Sequence, residues 1–289
     1  MPLRIRPIIT KLMLALTILL AASYVGICLL LFFFQSRLMF SPPPKVYRTP
    51  ADLKLHYQDV WLSVATGSKI ERFHGWWIAA DSPKAITLLY LHGKGANGGA
   101  VNQAAHFHRL GYSILLIDYR GYGLSEGGFP TESQVDEDAE TAWNYLVRER
   151  RISPKQIVVY GYSLGGAIAI DLAVKHPEAR ALIVQSSFTS MADMAKYQGY
   201  FWWVPINLLL NQRFDSIAKV KFLKIPVLFI HGAADDFVPT KMSQALYNAA
   251  SQPKQLLLVP QTGHNDGEAR FNTPKHFQSV QRFIQQDSK

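Results

Sequence analysis

The sequence predicts an α/β fold, a mostly parallel sheet with helices on both faces, preceded by one N-terminal transmembrane helix. Three observations carry this. From residue 86 onward apolar strand-like runs alternate with helix-patterned segments; a Gly-x-Ser-x-Gly turn joins one such run to a helix; and residues 12–34 contain no charge.

Composition narrows the classes before any motif is considered. The chain has 289 residues, about half of them apolar, which suits one large α/β domain rather than a disordered segment. Its single cysteine, Cys28, excludes an intramolecular disulfide and the cysteine clusters of structural zinc or iron–sulfur sites. No metal or organic cofactor is implied. The formal charge is +9, but Arg4, Arg6, Lys11, Arg37, Lys45 and Arg48 supply six of those charges within the first 50 residues, where there is no acid. The remainder is nearly neutral, so the basic N-terminus reads as membrane topology and not as a nucleic-acid footprint.

The N-terminal element comes first. Residues 1–11 form a basic tail, and Leu12 to Phe34 is an uncharged run of 23 residues. As a helix it reaches about 34 Å at roughly 1.5 Å per residue, enough for a hydrocarbon core of about 30 Å. A core helix would show a polar stripe, and this run has none. Ala21-Ala22-Ser23 resembles a signal-peptide cleavage site, yet cutting there would leave Val25 to Phe34 exposed to water, so retention as an anchor is expected. Cys28 follows Ile27, which argues against a lipoprotein site and for a small apolar residue facing lipid or another helix. Cations flank both ends of the span. Those before it lie closer, which leans towards a cytoplasmic N-terminus and a domain outside, facing the periplasm if the cell is bacterial. Residues 35–55 are expected to be a linker, with Ser41-Pro42-Pro43-Pro44 a stiff spacer, and residues 56–289 the folded α/β domain.

Within that domain the strand-like runs are Val60–Val64, Phe73–Ile78, Ile86–Leu91, Ser113–Ile117, Ile157–Tyr160, Ala181–Gln185, Val227–Ile230 and Leu256–Val259. Helical patterning covers Glu132–Arg150, Leu164–Lys175 and Thr240–Ala250. The two strands before Ile86 are expected at an antiparallel edge. The alternation breaks at about 188–225, where the uncharged run Tyr197 to Leu210 predicts a lid that packs on the core, lines a pocket or touches lipid.

The chemistry follows from strand ends. Gly161-Tyr162-Ser163-Leu164-Gly165 stands between a strand and a helix, as a nucleophile elbow requires. A serine hydroxyl is a weak nucleophile, so it needs a base within hydrogen-bond reach and an acid to orient that base. In the order Ser, Asp, His these lie downstream. His264, in Thr262-Gly263-His264-Asn265-Asp266, is the candidate base, and Asp235 the candidate acid. Adjacent Asp236 is the fallback, and Asp266 reads as a loop or capping residue. The glycine-rich turn His92-Gly93-Lys94-Gly95-Ala96-Asn97-Gly98-Gly99 lacks the G-x-x-x-x-G-K-[ST] phosphate-loop pattern, and a bare G-x-G-x-x-G spacing, which Gly93, Gly95 and Gly98 do show, is a weak signal. It is instead the source of an oxyanion donor, with the backbone N–H groups of Lys94 and Leu164 paired at the developing charge.

Through His92-Gly93, Gly161 to Gly165, His231-Gly232 with Asp235, and Gly263-His264, residues 56–286 resemble the α/β-hydrolase superfamily. Asp118-Tyr119-Arg120-Gly121-Tyr122-Gly123 and Gln212-Arg213-Phe214-Asp215-Ser216 make the chain similar to a narrower membrane-anchored branch. That branch includes depalmitoylases, lysophospholipid lipases and proteins labelled serine peptidases of the prolyl oligopeptidase or aminopeptidase type. Where it commonly has His-Gly-Asn-Ala-Gly-Asn, this chain has a lysine at position 94, which keeps the backbone donor and changes the side-chain contacts. The resemblance implies a serine hydrolase without cofactor. Its expected partners are the lipid bilayer and a small acyl-ester or otherwise acylated substrate, not nucleic acid. A peptidase and a non-catalytic membrane scaffold are the rival expectations.

Overall fold

Five strands of continuous apolar sequence form the centre of the sheet: β3 (Thr87–Leu91), β4 (Ser113–Ile117), β5 (Ile157–Tyr162), β6 (Ala181–Gln185) and β7 (Val227–Gly232). Their alternate side chains serve two separate cores. Leu89, Leu91 and Val159 face one, while Leu88, Tyr90, Val158 and Tyr160 face the other, which is why these runs show no polar alternation. A computed structural model describes residues 5–42, 48–67, 69–95, 98–199, 202–264, 266 and 274–286. Arg4, Pro43, Pro44, Lys45, Ala96, Asn97, Tyr200, Phe201 and Asn265 lie outside the described residues.

With β1 (Gln58–Thr66), β2 (Lys69–Ile78) and β8 (Lys254–Val259), the strand order is β1-β2-β4-β3-β5-β6-β7-β8. The first two strands form an antiparallel pair at one edge, β2 joins β4 antiparallel, and all pairings from β4 to β8 are parallel. Edge strand β1 shows the two-residue alternation of a half-buried strand, with Val60, Leu62 and Val64 inward and Trp61 and Ser63 outward.

Helices cover both faces. On one side α3 (Glu132–Asn144), α4 (Leu164–Lys175) and α8 (Thr240–Ala249) supply Val135, Ala139, Ile168, Leu172 and Leu246 to the larger core. On the other, α2 (Gly98–Arg109) and α9 (Pro274–Gln286) supply Val101, Phe107, Phe277 and Phe283. Thr131 starts α3 with a capping box closed by Gln134, which satisfies backbone donors at both ends of the exchange. The expected helix to Arg150 departs from α-geometry after Asn144, where a wider turn takes up 145–149.

Between β6 and β7 the chain forms the lid: α5 (Met191–Gln198), α6 (Ile206–Leu209) and α7 (Ser216–Lys219) joined by irregular segments. Its return segment is pinned to the start of α3, because the Glu132 carboxylate accepts the N–H groups of Arg213 and Phe214 at 2.5 and 2.8 Å.

The largest difference from expectation is at the N-terminus. Helix α1 runs from Ile5 to Met39 without a break, so residues 35–39, expected in a linker, are helical. Gln35, polar in an otherwise apolar helix, is 7% exposed and serves as a clasp to the lid. Its Nε2 donates to the Leu209 carbonyl at 3.2 Å, and its Oε1 accepts the N–H groups of Asn211 and Gln212 at 2.9 and 3.1 Å. Phe40 follows, fully buried, its ring 6.1 Å from that of Phe214. Residues 8–39 form a helix long and apolar enough to cross a membrane by length and composition.

Candidate active site

The turn after β5 sets the first group. Ser163 has φ 54° and ψ −116°, a conformation that costs a non-glycine residue about 1–3 kcal/mol. The neighbouring glycines make it possible: a Cβ at Gly161 would lie 2.2 Å from the Gly165 carbonyl oxygen, and one at Gly165 only 2.1 Å from that of Leu91. The Ser163 N–H donates to the Gln185 carbonyl at 2.8 Å, which fixes the turn against β6. The hydroxyl is thereby lifted to the C-terminal edge of the sheet, at the head of α4.

The second group is carried by the turn after β8. His264 Nε2 lies 3.1 Å from Ser163 Oγ, and its Nδ1 lies 2.7 Å from Asp235 Oδ2. A carboxylate accepts, so Nδ1 carries the proton and Nε2 presents its lone pair to the serine hydroxyl. The ring sits between two aromatic rings, Tyr162 stacked at 5.6 Å and Phe237 tilted at 5.0 Å. Tyr162 also donates its hydroxyl to the His264 carbonyl at 2.6 Å. Asp266 accepts the Gly263 N–H at 3.0 Å, the loop role expected of it.

The third group is resolved between its two candidates. Asp235 is inward, its Oδ1 accepting the N–H groups of Phe237 and Val238 at 3.1 and 2.8 Å. Asp236 is exposed, and only its backbone carbonyl is engaged by the lid, through Tyr197. His231 backs Asp235 from below, with Nε2 3.2 Å from Oδ2 and 2.8 Å from the Val238 carbonyl. Burial pushes the Asp235 carboxyl up, but the hydrogen bonds from His231 and His264 and the Val238 amide outweigh it and hold it at about 2. The carboxylate is therefore ionised wherever the imidazole needs orienting.

The loop after β3 meets the elbow from the other side. A Cβ at Gly93 would lie 3.2 Å from the Ser163 Cβ, tight enough that a larger residue would push the elbow by a few tenths of an ångström. Three residues of the segment after β4 and one of the loop itself hold it in place. Tyr119 donates to the His92 carbonyl at 3.0 Å, and Tyr122 to the Lys94 carbonyl at 2.8 Å. His92 Nδ1 donates to the Gly93 carbonyl at 2.7 Å, and burial pushes its pKa down to about 4, so the ring is neutral. Arg120, buried, closes the segment onto α3 through Asp138 at 2.7 Å. Lys94 and Leu164 both border the space in front of Ser163.

That space is a cavity of about 540 Å³ with mostly apolar walls. The lid contributes Met191, Met194 and Leu209, the acid loop Phe237 and Val238, and α1 contributes Leu31, Gln35, Leu38 and Met39. Among the described residues, no group of three His, Cys, Asp or Glu side chains is placed to hold a metal ion.

Comparison with known proteins agrees with the fold. The family model described as serine aminopeptidase S33 matches residues 81–219, and that of PhoPQ-activated pathogenicity-related proteins matches 205–289. The α/β-hydrolase domain-containing protein WAV2 of Arabidopsis thaliana is 32% identical, covering 86% of this chain and 88% of that protein. The chain belongs to the α/β-hydrolase superfamily. Protein bem46 of Schizosaccharomyces pombe is 34% identical over 75% of this chain and 74% of its own length. Among solved α/β-hydrolases, an esterase of Pyrococcus furiosus superposes with a TM-score of 0.67 at 21% identity, covering 87% of this chain and 98% of that one. That likeness speaks for the fold alone.

Sequence reasoning on this α/β-hydrolase missed the groups that steady the polar chain. Tyr162 occupies the variable position of the Gly-x-Ser-x-Gly motif, and an aromatic residue there was the available signal. Phe237 and the supporting role of His231 had none, because both depend on how the turn after β7 folds back. The part played by α1 in the cavity was likewise not visible.

Proposed function

We propose that this protein is a membrane-anchored serine hydrolase that cleaves an acyl ester or thioester through an acyl-enzyme. The observation that carries the reading is the hydrogen-bonded chain Ser163–His264–Asp235 opening onto an apolar cavity. Ser163 Oγ attacks the acyl carbonyl while His264 Nε2 takes its proton, and Asp235 stabilises the imidazolium. The backbone N–H groups of Leu164 and Lys94 receive the oxyanion. Collapse of the tetrahedral intermediate expels the alcohol or thiol, which leaves with the proton from His264. Water then repeats the sequence on the acyl-enzyme and releases the acid.

Retention of α1 as an anchor is supported by its exposure: Leu29, Leu30 and Phe33 are 51, 59 and 71% exposed, an apolar surface that water would not tolerate. The N-terminus is placed in the cytoplasm and the domain outside, following the flanking cations.

A serine aminopeptidase is the second reading, favoured by the description of the family model that matches residues 81–219. It needs a carboxylate to hold a substrate α-amino group, and none is among the described residues lining the cavity. Labelling with a fluorophosphonate tests the nucleophile. Wild type is expected to label and Ser163→Ala and His264→Ala to lose labelling, since the groups act as a unit; equal labelling of Ser163→Ala would end the proposal. Faster turnover of aminoacyl amides than of acyl esters would move the peptidase reading ahead.

A further inference from the structure

Helix α1 is longer than a membrane requires. Its candidate span of 32 residues, 8–39, which includes Lys11 and Arg37 near its ends, measures about 48 Å at roughly 1.5 Å per residue, against a hydrocarbon core of about 30 Å. The surplus, about twelve residues, matches the part that packs on the domain. Leu31, Gln35, Leu38 and Met39 recur at helical spacing and form one stripe along the cavity. The opposite stripe, Leu30, Phe33 and Phe34, is exposed and apolar. One helix therefore separates the space in front of Ser163 from an exposed apolar surface.

Three fastenings hold this stripe in register with the site. Gln35 is bonded to the lid at Leu209, Asn211 and Gln212. Lys94 Nζ donates to the Leu38 carbonyl at 2.7 Å, placing a cation on the C-terminal end of the helix. Tyr122 accepts the Ser41 N–H at 3.2 Å while donating to the Lys94 carbonyl, so the chain leaving the helix and the oxyanion loop share one hydroxyl. Further up, Tyr24 donates to the Trp203 carbonyl at 3.2 Å, and exposed Trp202 and Leu208 bring the lid to the same apolar level.

We propose that the last three turns of α1 are the wall against which the substrate's acyl chain lies, so that the anchor sets chain-length selectivity, with Leu31 at the far end. This rests on the serine hydrolase reading above and extends it. Lys94, Leu38 and Met39 mark the end near the oxyanion loop, and Leu31 stands about two turns away from it along the same stripe. A chain esterified at Ser163 can run along this stripe, between α1 and the lid methionines, and the cavity volume is that of a small-molecule site. Its occupant is a lipid acyl chain, since the cavity is apolar and the outer face of its wall, Leu30, Phe33 and Phe34, is apolar and exposed.

The test uses the full-length protein in one detergent and measures labelling rates of Ser163 with fluorophosphonates carrying an ethyl or a dodecyl chain. Each buried methylene favours the longer probe by up to about fourfold. Leu31→Trp is expected to lower the dodecyl-to-ethyl rate ratio at least tenfold. Leu31→Ala, which enlarges the far end without crowding it, is expected to shift the preference to a longer hexadecyl probe. An unchanged dodecyl-to-ethyl ratio in both variants overturns the proposal, as does a change confined to Met194→Trp, which would make the lid alone the wall. If Leu31→Trp loses ethyl labelling as well, the hexadecyl preference of Leu31→Ala decides. Failure of wild type to label with either probe would instead remove the serine hydrolase reading itself, and this inference with it.

Discussion

Two regions meet at Ser163 and are built to different tolerances. The polar chain of Ser163, His264 and Asp235 is fixed from several sides: two glycines and a strained backbone hold the serine, two aromatic rings hold the imidazole, and two amides and a second histidine hold the carboxylate. The apolar wall has no such detail. It is made of leucine and methionine side chains from α1 and the lid, fastened by a few hydrogen bonds at their ends. Acyl transfer loses orders of magnitude when a group moves by about 1 Å, whereas an apolar wall needs shape and volume and accepts conservative exchanges at small expense. Substitutions in the first region should therefore act on rate for every substrate, and those in the second on the choice among substrates.

The sharpest break of that distinction is at the two adjacent aspartates. Asp235→Asn keeps the size of the side chain but removes the acceptor that selects the His264 tautomer, and kcat is expected to fall by about 10⁴. Asp236→Asn is expected to stay within about twofold of wild type. Steady-state kinetics on one short ester and one long ester should show the Asp235→Asn loss equally on both. A loss confined to the long ester would put Asp235 in the wall rather than in the chain.

The aspartate pair also shows where the sequence stops being informative. Strand positions were legible because fully buried parallel strands are continuous apolar runs, and Ser163 was legible because its turn needs glycine on both sides. Choosing Asp235 over Asp236 depends on a turn that aims one carboxylate at two backbone amides, and spacing holds no record of that. The end of α1 was misjudged for a similar reason. Gln35 is polar in an apolar helix, and the partners that explain it, Leu209, Asn211 and Gln212, are distant in sequence.

The pH profile offers a smaller effect on the same side of the comparison. Hydrogen bonds hold Asp235 at about 2, below its ordinary value, so it stays ionised as pH falls to 4. His92 is held down at about 4 by burial, so it stays neutral until the same point. Neither group therefore takes up a proton above about pH 4.5, so an acid-side fall in the logarithm of kcat/KM is expected to be no steeper than about tenfold per pH unit. A slope approaching two would mean that a second group, Asp235 or His92, takes a proton with it.

The smallest effect lies where the two regions touch. Lys94 would belong to the polar side through the oxyanion contact proposed for its backbone N–H, and it belongs to the wall through the ammonium that caps α1 at the Leu38 carbonyl. Partial burial lowers the pKa of that ammonium, so the charge is held at some expense in solvation. Lys94→Met keeps the backbone donor and most of the side-chain length while removing the cation. A cation at a helix C-terminus contributes about 0.3–1 kcal/mol in such settings. The corresponding expectation is a two- to fivefold fall in kcat as the oxyanion loop loosens, with Lys94→Arg restoring most of it and labelling by the ethyl probe slowed in parallel. If Lys94→Met changes the chain-length preference and leaves kcat alone, the lysine fastens the wall without steadying the loop. The hydroxyl of Tyr122, shared between Ser41 and the Lys94 carbonyl, would then be what holds the loop to the end of α1.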